Sequence, residues 1–131
     1  MKPVEGGRMV FGQVPIRQVE CWPLIQWTDC MITCHVKYVI DPYQLAAFER
    51  YSRQWIGLVT RLGGEHHGYF LPAEGANNIA YCLFSFATLA DYERYRDQAA
   101  QDEECVRLVE EATALKLIVS YERSFLRPML G

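Results

Sequence analysis

From residue 31 onward, hydrophobic and polar positions fall into regular repeats. Ile32, Cys34, Val36, Tyr38 and Ile40 alternate with Thr33, His35, Lys37 and Val39, the alternation of a strand whose two faces meet different surroundings. Asp41-Pro42-Tyr43-Gln44 then reads as a helix start. Asp41 can accept from free amides, Pro42 suits a first turn, and Gln44 has capping-box spacing. Leu45, Phe48, Ser52, Trp55, Ile56, Val59 and Leu62 recur at helical spacing until Gly63-Gly64 stops the helix. Strand patterns return over residues 66–71 and 78–87, separated by a Pro- and Gly-containing loop. Thr88 and Asp102 cap two further helices, expected over residues 89–100 and 103–113, and a last strand is expected over residues 115–125.

The order β-α-β-β-α(α)-β predicts an α+β, ferredoxin-like domain with helices on one face of a four-stranded antiparallel sheet. The other face is half apolar. Val39, Tyr81 and Leu83 would share it with Thr33, His35 and Lys37. Such a face is a liability in water. Two copies closing sheet to sheet, as a dimeric α/β barrel with a cavity between them, would cover it.

Residues 1–30 lack both periods and hold Pro3, Pro15 and Pro23 with several glycines. They read as an N-terminal extension outside the domain at residues 31–131. It is either a poorly ordered arm carrying Trp22, Leu24, Ile25 and Trp27, or a stretch preceding a natural start at Met31. The 131-residue chain has 50% hydrophobic residues and a net charge of −3, without a basic block. Nucleic acid is therefore not expected as a partner. No apolar run is long enough for a membrane span, and residues 1–29 do not read as a secretory signal, since no apolar stretch follows Lys2 and Arg8. Five cysteines, an odd number, argue against a closed disulfide framework and suggest a reducing, cytoplasmic compartment.

The candidate chemistry is sparse. His66 and His67, adjacent on a strand, point to opposite faces and cannot chelate one ion. One of them can join His35 as an acid–base group, since histidine titrates near neutrality. The plainer role for each is a hydrogen-bonded structural histidine. Cys30 and Cys34 would lie about 13 Å apart along a strand, too far for joint ligation. Cys82 and Cys105 read as small core residues. No metal site and no cofactor are expected. Gly63-Gly64 with Gly68 lacks the order of a phosphate loop. Lys37, Glu122 and Arg123 are charges in strand-like segments, suited to ion pairs or to anchoring an acidic ligand group.

Several collinear strings carry a resemblance. They are Val36-Lys37-Tyr38-Val39-Ile40-Asp41-Pro42-Tyr43, the run from Arg61-Leu62-Gly63-Gly64-Glu65-His66-His67 to Pro72, Glu74-Gly75-Ala76-Asn77-Asn78, Leu83-Phe84-Ser85-Phe86-Ala87-Thr88-Leu89-Ala90-Asp91-Tyr92, and Tyr121-Glu122-Arg123-Ser124-Phe125-Leu126-Arg127-Pro128. Over residues 31–130 the chain resembles the NIPSNAP family of dimeric α/β-barrel proteins. The resemblance implies the fold and brings no catalytic set. The wider fold group includes cofactor-free monooxygenases, haem-handling enzymes and isomerases, so membership selects no chemistry.

These readings converge on a homodimer binding a small apolar or aromatic molecule in the sheet-face cavity. The candidate lining is His35, Lys37, His67, Tyr69, Tyr81, Ser85 and Arg123. One alternative is a cofactor-independent monooxygenase- or isomerase-like enzyme, with His35 or His67 and Tyr69 or Tyr81 handling protons and Lys37 as anchor. The other is an interaction scaffold whose cavity is filled by side chains.

Overall fold

The computed structural model describes residues 30–129, so the expected N-terminal extension, apart from Cys30, lies outside the described residues. Strand β1 (Ile32–Ile40) ends at Asp41. The Asp41 carboxylate accepts from the Tyr43 amide at 3.0 Å and from Gln44 Nε2 at 2.9 Å. These bonds hold Pro42–Gln44 as a 3-10 turn, and α1 proper covers Leu45–Arg61. The left-handed Gly63 (φ 103°) ends it. Gly64 then passes so close to the sheet that a Cβ there would sit 2.7 Å from the Phe86 ring. The glycine pair therefore supplies both the stop and the close approach.

Strands β2 (Glu65–Phe70) and β3 (Ile79–Phe86) form the expected hairpin. Thr88 Oγ1 accepts from the Asp91 amide at 3.1 Å and opens α2 (Leu89–Ala99). Asp102 does the same for Cys105 at 3.0 Å and opens α3 (Glu103–Leu115). Asp102 and Glu104 also meet Arg61, at 2.9 and 3.2 Å, so part of the acidic run ties α3 to α1. Helix α3 runs two residues past its expected end at 113 because the chain turns only at Lys116, which takes the left-handed conformation at φ 56°. Strand β4 (Ile118–Leu126) consequently starts later than expected.

The sheet order is β2-β3-β1-β4, antiparallel at every pairing. This is the ferredoxin-like α+β fold. On the helix side, Ile32, Cys34, Val36, Cys82, Phe84 and Phe86 pack with Val59, Tyr92 and Tyr95. Each such apolar side chain contributes about 1.5–3 kcal/mol on burial. Leu58, Cys105 and Leu108 form a second cluster between α1 and α3. Among the described residues, no helix is long and apolar enough to cross a membrane. Cys34, Cys82 and Cys105 are buried free thiols, whereas Cys30 is disulfide-bonded. The three free thiols agree with the expected lack of a closed disulfide framework, and the disulfide at Cys30 runs against the reducing compartment suggested by the odd cysteine number.

Candidate functional site: an open sheet face and a cleft beneath the helices

The β1 register decides which side chains share a face. Thr33, His35 and Lys37 lie opposite Ser85, Leu83 and Tyr81 on β3, and opposite Leu126, Ser124 and Glu122 on β4. All of these belong to the face away from the helices. His67 joins them, with Nε2 2.8 Å from Ser85 Oγ, which in turn lies 2.7 Å from Thr33 Oγ1. The His35 and Tyr81 rings are 5.5 Å apart. The open face thus gathers His35, Lys37, His67, Tyr81 and Ser85. The His67–Ser85 contact has the spacing of a base and a hydroxyl nucleophile. Yet Ser85 is 1% exposed and also shares a bond with Thr33, so its hydroxyl acts as a structural link out of a substrate's reach.

Tyr69 and Arg123, expected on the same face, lie on the other one. In β2 the register shifts between His66 and Gly68, so that His66 faces Phe84, Gly68 faces Leu83 and Tyr69 faces Cys82. The extra residue in this bulge reverses the alternation, and a left-handed Gly68 (φ 109°) accommodates it. His66 and Tyr69 therefore both turn toward the helices. Arg123 pairs with Val36, a core residue of β1, which puts it on the helix side while Glu122 takes the open face.

That helix side is not fully closed. A cleft of about 920 Å³ runs between the sheet and the three helices, within the range of small-molecule sites. Its floor includes Val36, Tyr38, Tyr69, Phe84, Tyr121 and Arg123, and its roof Tyr51, Trp55, Tyr92, Tyr95, Val106 and Val109. Strand β4 borders the opening, and Val119 and Tyr121 there are 68% and 55% exposed. Aromatic rings line the interior. Tyr38 and Tyr69 stack at 6.1 Å, and His66 is sandwiched by Tyr69 at 5.0 Å and Phe84 at 5.5 Å.

Burial sets the protonation states. It raises the phenols of Tyr38, Tyr51, Tyr69 and Tyr95 above their usual range. It also pushes the Cys34 thiol up to about 12 and Cys82 to about 11, so neither is a thiolate nucleophile near neutrality. Burial, with the His67 charge adding to it, lowers His66 to about 4. His66 is therefore neutral at pH 7. Its Nδ1 accepts from the Gly68 amide at 2.9 Å, and an acceptor nitrogen carries no proton. The ring proton must then sit on Nε2. That Nε2–H is buried without a partner, and so is the Trp55 Nε1–H. The Trp55 N–H nonetheless acts on the Tyr51 hydroxyl as a donor, opposing the rise that burial gives that phenol. A buried donor left unpaired costs about 1–3 kcal/mol. Both residues line the cleft.

The family model described as NIPSNAP matches residues 35–130. The chain belongs to the NIPSNAP family. Similar solved structures include two Agrobacterium tumefaciens NIPSNAP family proteins. One is 24% identical with a TM-score of 0.66, over 76% of this chain and 87% of that one. The other, of unknown function, is 20% identical with a TM-score of 0.67, over 76% of this chain and 89% of that one. A Caulobacter crescentus protein provisionally named an antibiotic biosynthesis monooxygenase is 11% identical, with a TM-score of 0.57 over 79% and 94% of the two chains. These likenesses show the fold. No curated protein matches the sequence significantly.

Within this NIPSNAP domain, sequence reasoning passed over Trp55 and preferred His67 to His66 as a site residue. Trp55 falls on the apolar stripe of α1 and reads as core or rim. A usable signal was present: Trp and His both carry N–H groups that need partners when buried. Among the described residues, no cluster of three or more His, Cys, Asp or Glu side chains is arranged to hold a metal ion.

Proposed function

We propose that this NIPSNAP domain is a homodimer in which each chain holds a small planar apolar or aromatic molecule. The ligand site moves from the expected cavity between two sheets to the cleft beneath the helices. The observation that carries this reading is the cleft itself: about 920 Å³, walled by aromatic rings and open beside β4. A scaffold with a filled interior would leave no such volume. The enzyme alternative has less behind it, because His35, His67 and Tyr81 lie on the opposite face of the sheet from the cleft. Pairing through the sheet face is supported by exposed apolar side chains there, with Phe70 beside Tyr81, and Leu126 at the far strand. A cytoplasmic location keeps the support of the buried free thiols Cys34, Cys82 and Cys105, and the disulfide at Cys30 counts against it.

Binding of the tricyclic hydrocarbon fluorene to the full chain, followed by equilibrium dialysis, tests the ligand reading. Saturation at one molecule per chain, weakened by the cleft-filling variant Val106→Phe, is expected. Absence of saturable binding, or binding indifferent to Val106→Phe, overturns it.

A further inference from the structure

Among the described residues, the charged side chains lining the cleft are Arg96, Lys116 and Arg123, with Glu110 as the one carboxylate. The lining is therefore net positive in a chain whose overall charge is −3. The ion pairs among the described residues use Arg53, Arg61, Arg94 and Arg107, and none involves the three cations of the cleft. Arg123 lies on the helix side of β4 because it pairs with Val36, and it is exposed where the cleft opens along that strand. Its guanidinium carbon sits 5.2 Å from the centre of the Tyr121 ring. Around it stand the Cys34 thiol, on which it acts as a donor, and the phenols of Tyr38 and Tyr92. None of these groups is a carboxylate. Arg96 comes from α2, and its Nη1 donates to the Tyr92 hydroxyl at 2.9 Å. That bond uses one of five N–H donors on an exposed side chain. Tyr92 is thus a neighbour of both guanidinium groups, and two positive charges lie near one ring of the cleft lining.

Resting on the proposed binding role, we infer that the ligand is an aromatic carboxylate, its rings among the tyrosines of the cleft and its carboxylate at the guanidinium of Arg123, with Arg96 adding a second positive charge. A guanidinium takes a carboxylate through two parallel N–H···O bonds, so the group is held in direction as well as in charge. Stacking on Tyr121 orients that fork before the ligand arrives. A phosphate dianion would bring a second negative charge to a lining that already includes Glu110. A bare hydrocarbon would use the rings and leave the charges to water.

Fluorene-2-carboxylate and its methyl ester share three fused rings and differ in charge, and fluorene lacks the group altogether. Affinities for all three are measured near neutral pH on the full chain and on Arg123→Gln, Arg96→Gln and Arg123→Lys. Arg94→Gln is the control, since Arg94 pairs with Asp91 and neither lines the cleft. The wild type should prefer the carboxylate to its ester by about tenfold or more, the worth of one hydrogen bond between charged groups. Arg123→Gln should erase most of that preference while fluorene still binds, and Arg96→Gln should lower it in part. Arg123→Lys keeps the charge and should keep part of the preference, whereas Arg94→Gln should leave it whole. Equal affinities for acid and ester in the wild type would overturn the carboxylate proposal while leaving the cleft a binding site, and that reading needs no variant to fold. A preference as large in Arg123→Gln as in the wild type would overturn it too. So would an equal loss in Arg94→Gln, which would make the effect one of overall charge. If none of the three probes binds, the binding role itself falls.

Discussion

The Gly68 amide donates to His66 Nδ1 at 2.9 Å across the β2 bulge. This short bond joins the backbone irregularity to the chemistry of the cleft. The bulge turns His66 and Tyr69 to the helix side, and the bond fixes which histidine nitrogen bears the proton. The left-handed backbone of Gly68 makes both possible.

Replacing Gly68 with Ala should therefore be costly for conformational reasons alone. No atom crowds the position, but φ 109° disfavours any L side chain. A loss of about 1–2 kcal/mol is expected, seen as a lower urea midpoint. An unchanged midpoint would mean that the bulge relaxes without strain.

Acid should weaken the fold through His66. Its native pKa is lowered from 6.5 to about 4, so between those values the unfolded chain takes up a proton that the native chain refuses. Stability is then full above about pH 6.5 and declines as pH falls toward 4. Urea unfolding of wild type and His66→Gln across this window checks the sign, with the variant expected to show the shallower slope.

Ser85 holds both His67 and Thr33. Ser85→Ala should cost about 1–3 kcal/mol, because it strands the buried Thr33 hydroxyl. Adding Thr33→Val should cost less than the two single changes summed, since the hydroxyl left unpaired is gone. Strict additivity in that double-mutant cycle would contradict the linkage.

The open face carries the proposed dimer contact. Tyr81→Glu, beside Phe70 and opposite Lys37, should shift sedimentation toward the monomer at micromolar protein while preserving the circular dichroism of the fold. A variant that sediments as the wild type would place the contact elsewhere.

Much of the fold was legible in local patterns. The Asp41, Thr88 and Asp102 caps form as their residue types require, because a cap needs only a short side chain near the next amides. Strand alternation put His35, Lys37, Tyr81 and Ser85 on one face, and backbone parity keeps them there. Parity failed where it was interrupted. Nothing local to His66-His67-Gly68 announces an extra residue, since the bulge arises from pairing with β3, a partner distant in sequence. Tyr69 changed faces for that reason, and Arg123 was settled only by its pairing with Val36.

The sequence by itself determined the order of the elements, their caps and which residue types are available for chemistry, since these rest on interactions within a few residues. Tertiary structure decided that a cleft remains beneath the helices, and that Trp55 and His66 both line it. Whether a buried N–H finds a partner depends on three elements packed from distant parts of the chain, and no periodicity in the sequence encodes that space.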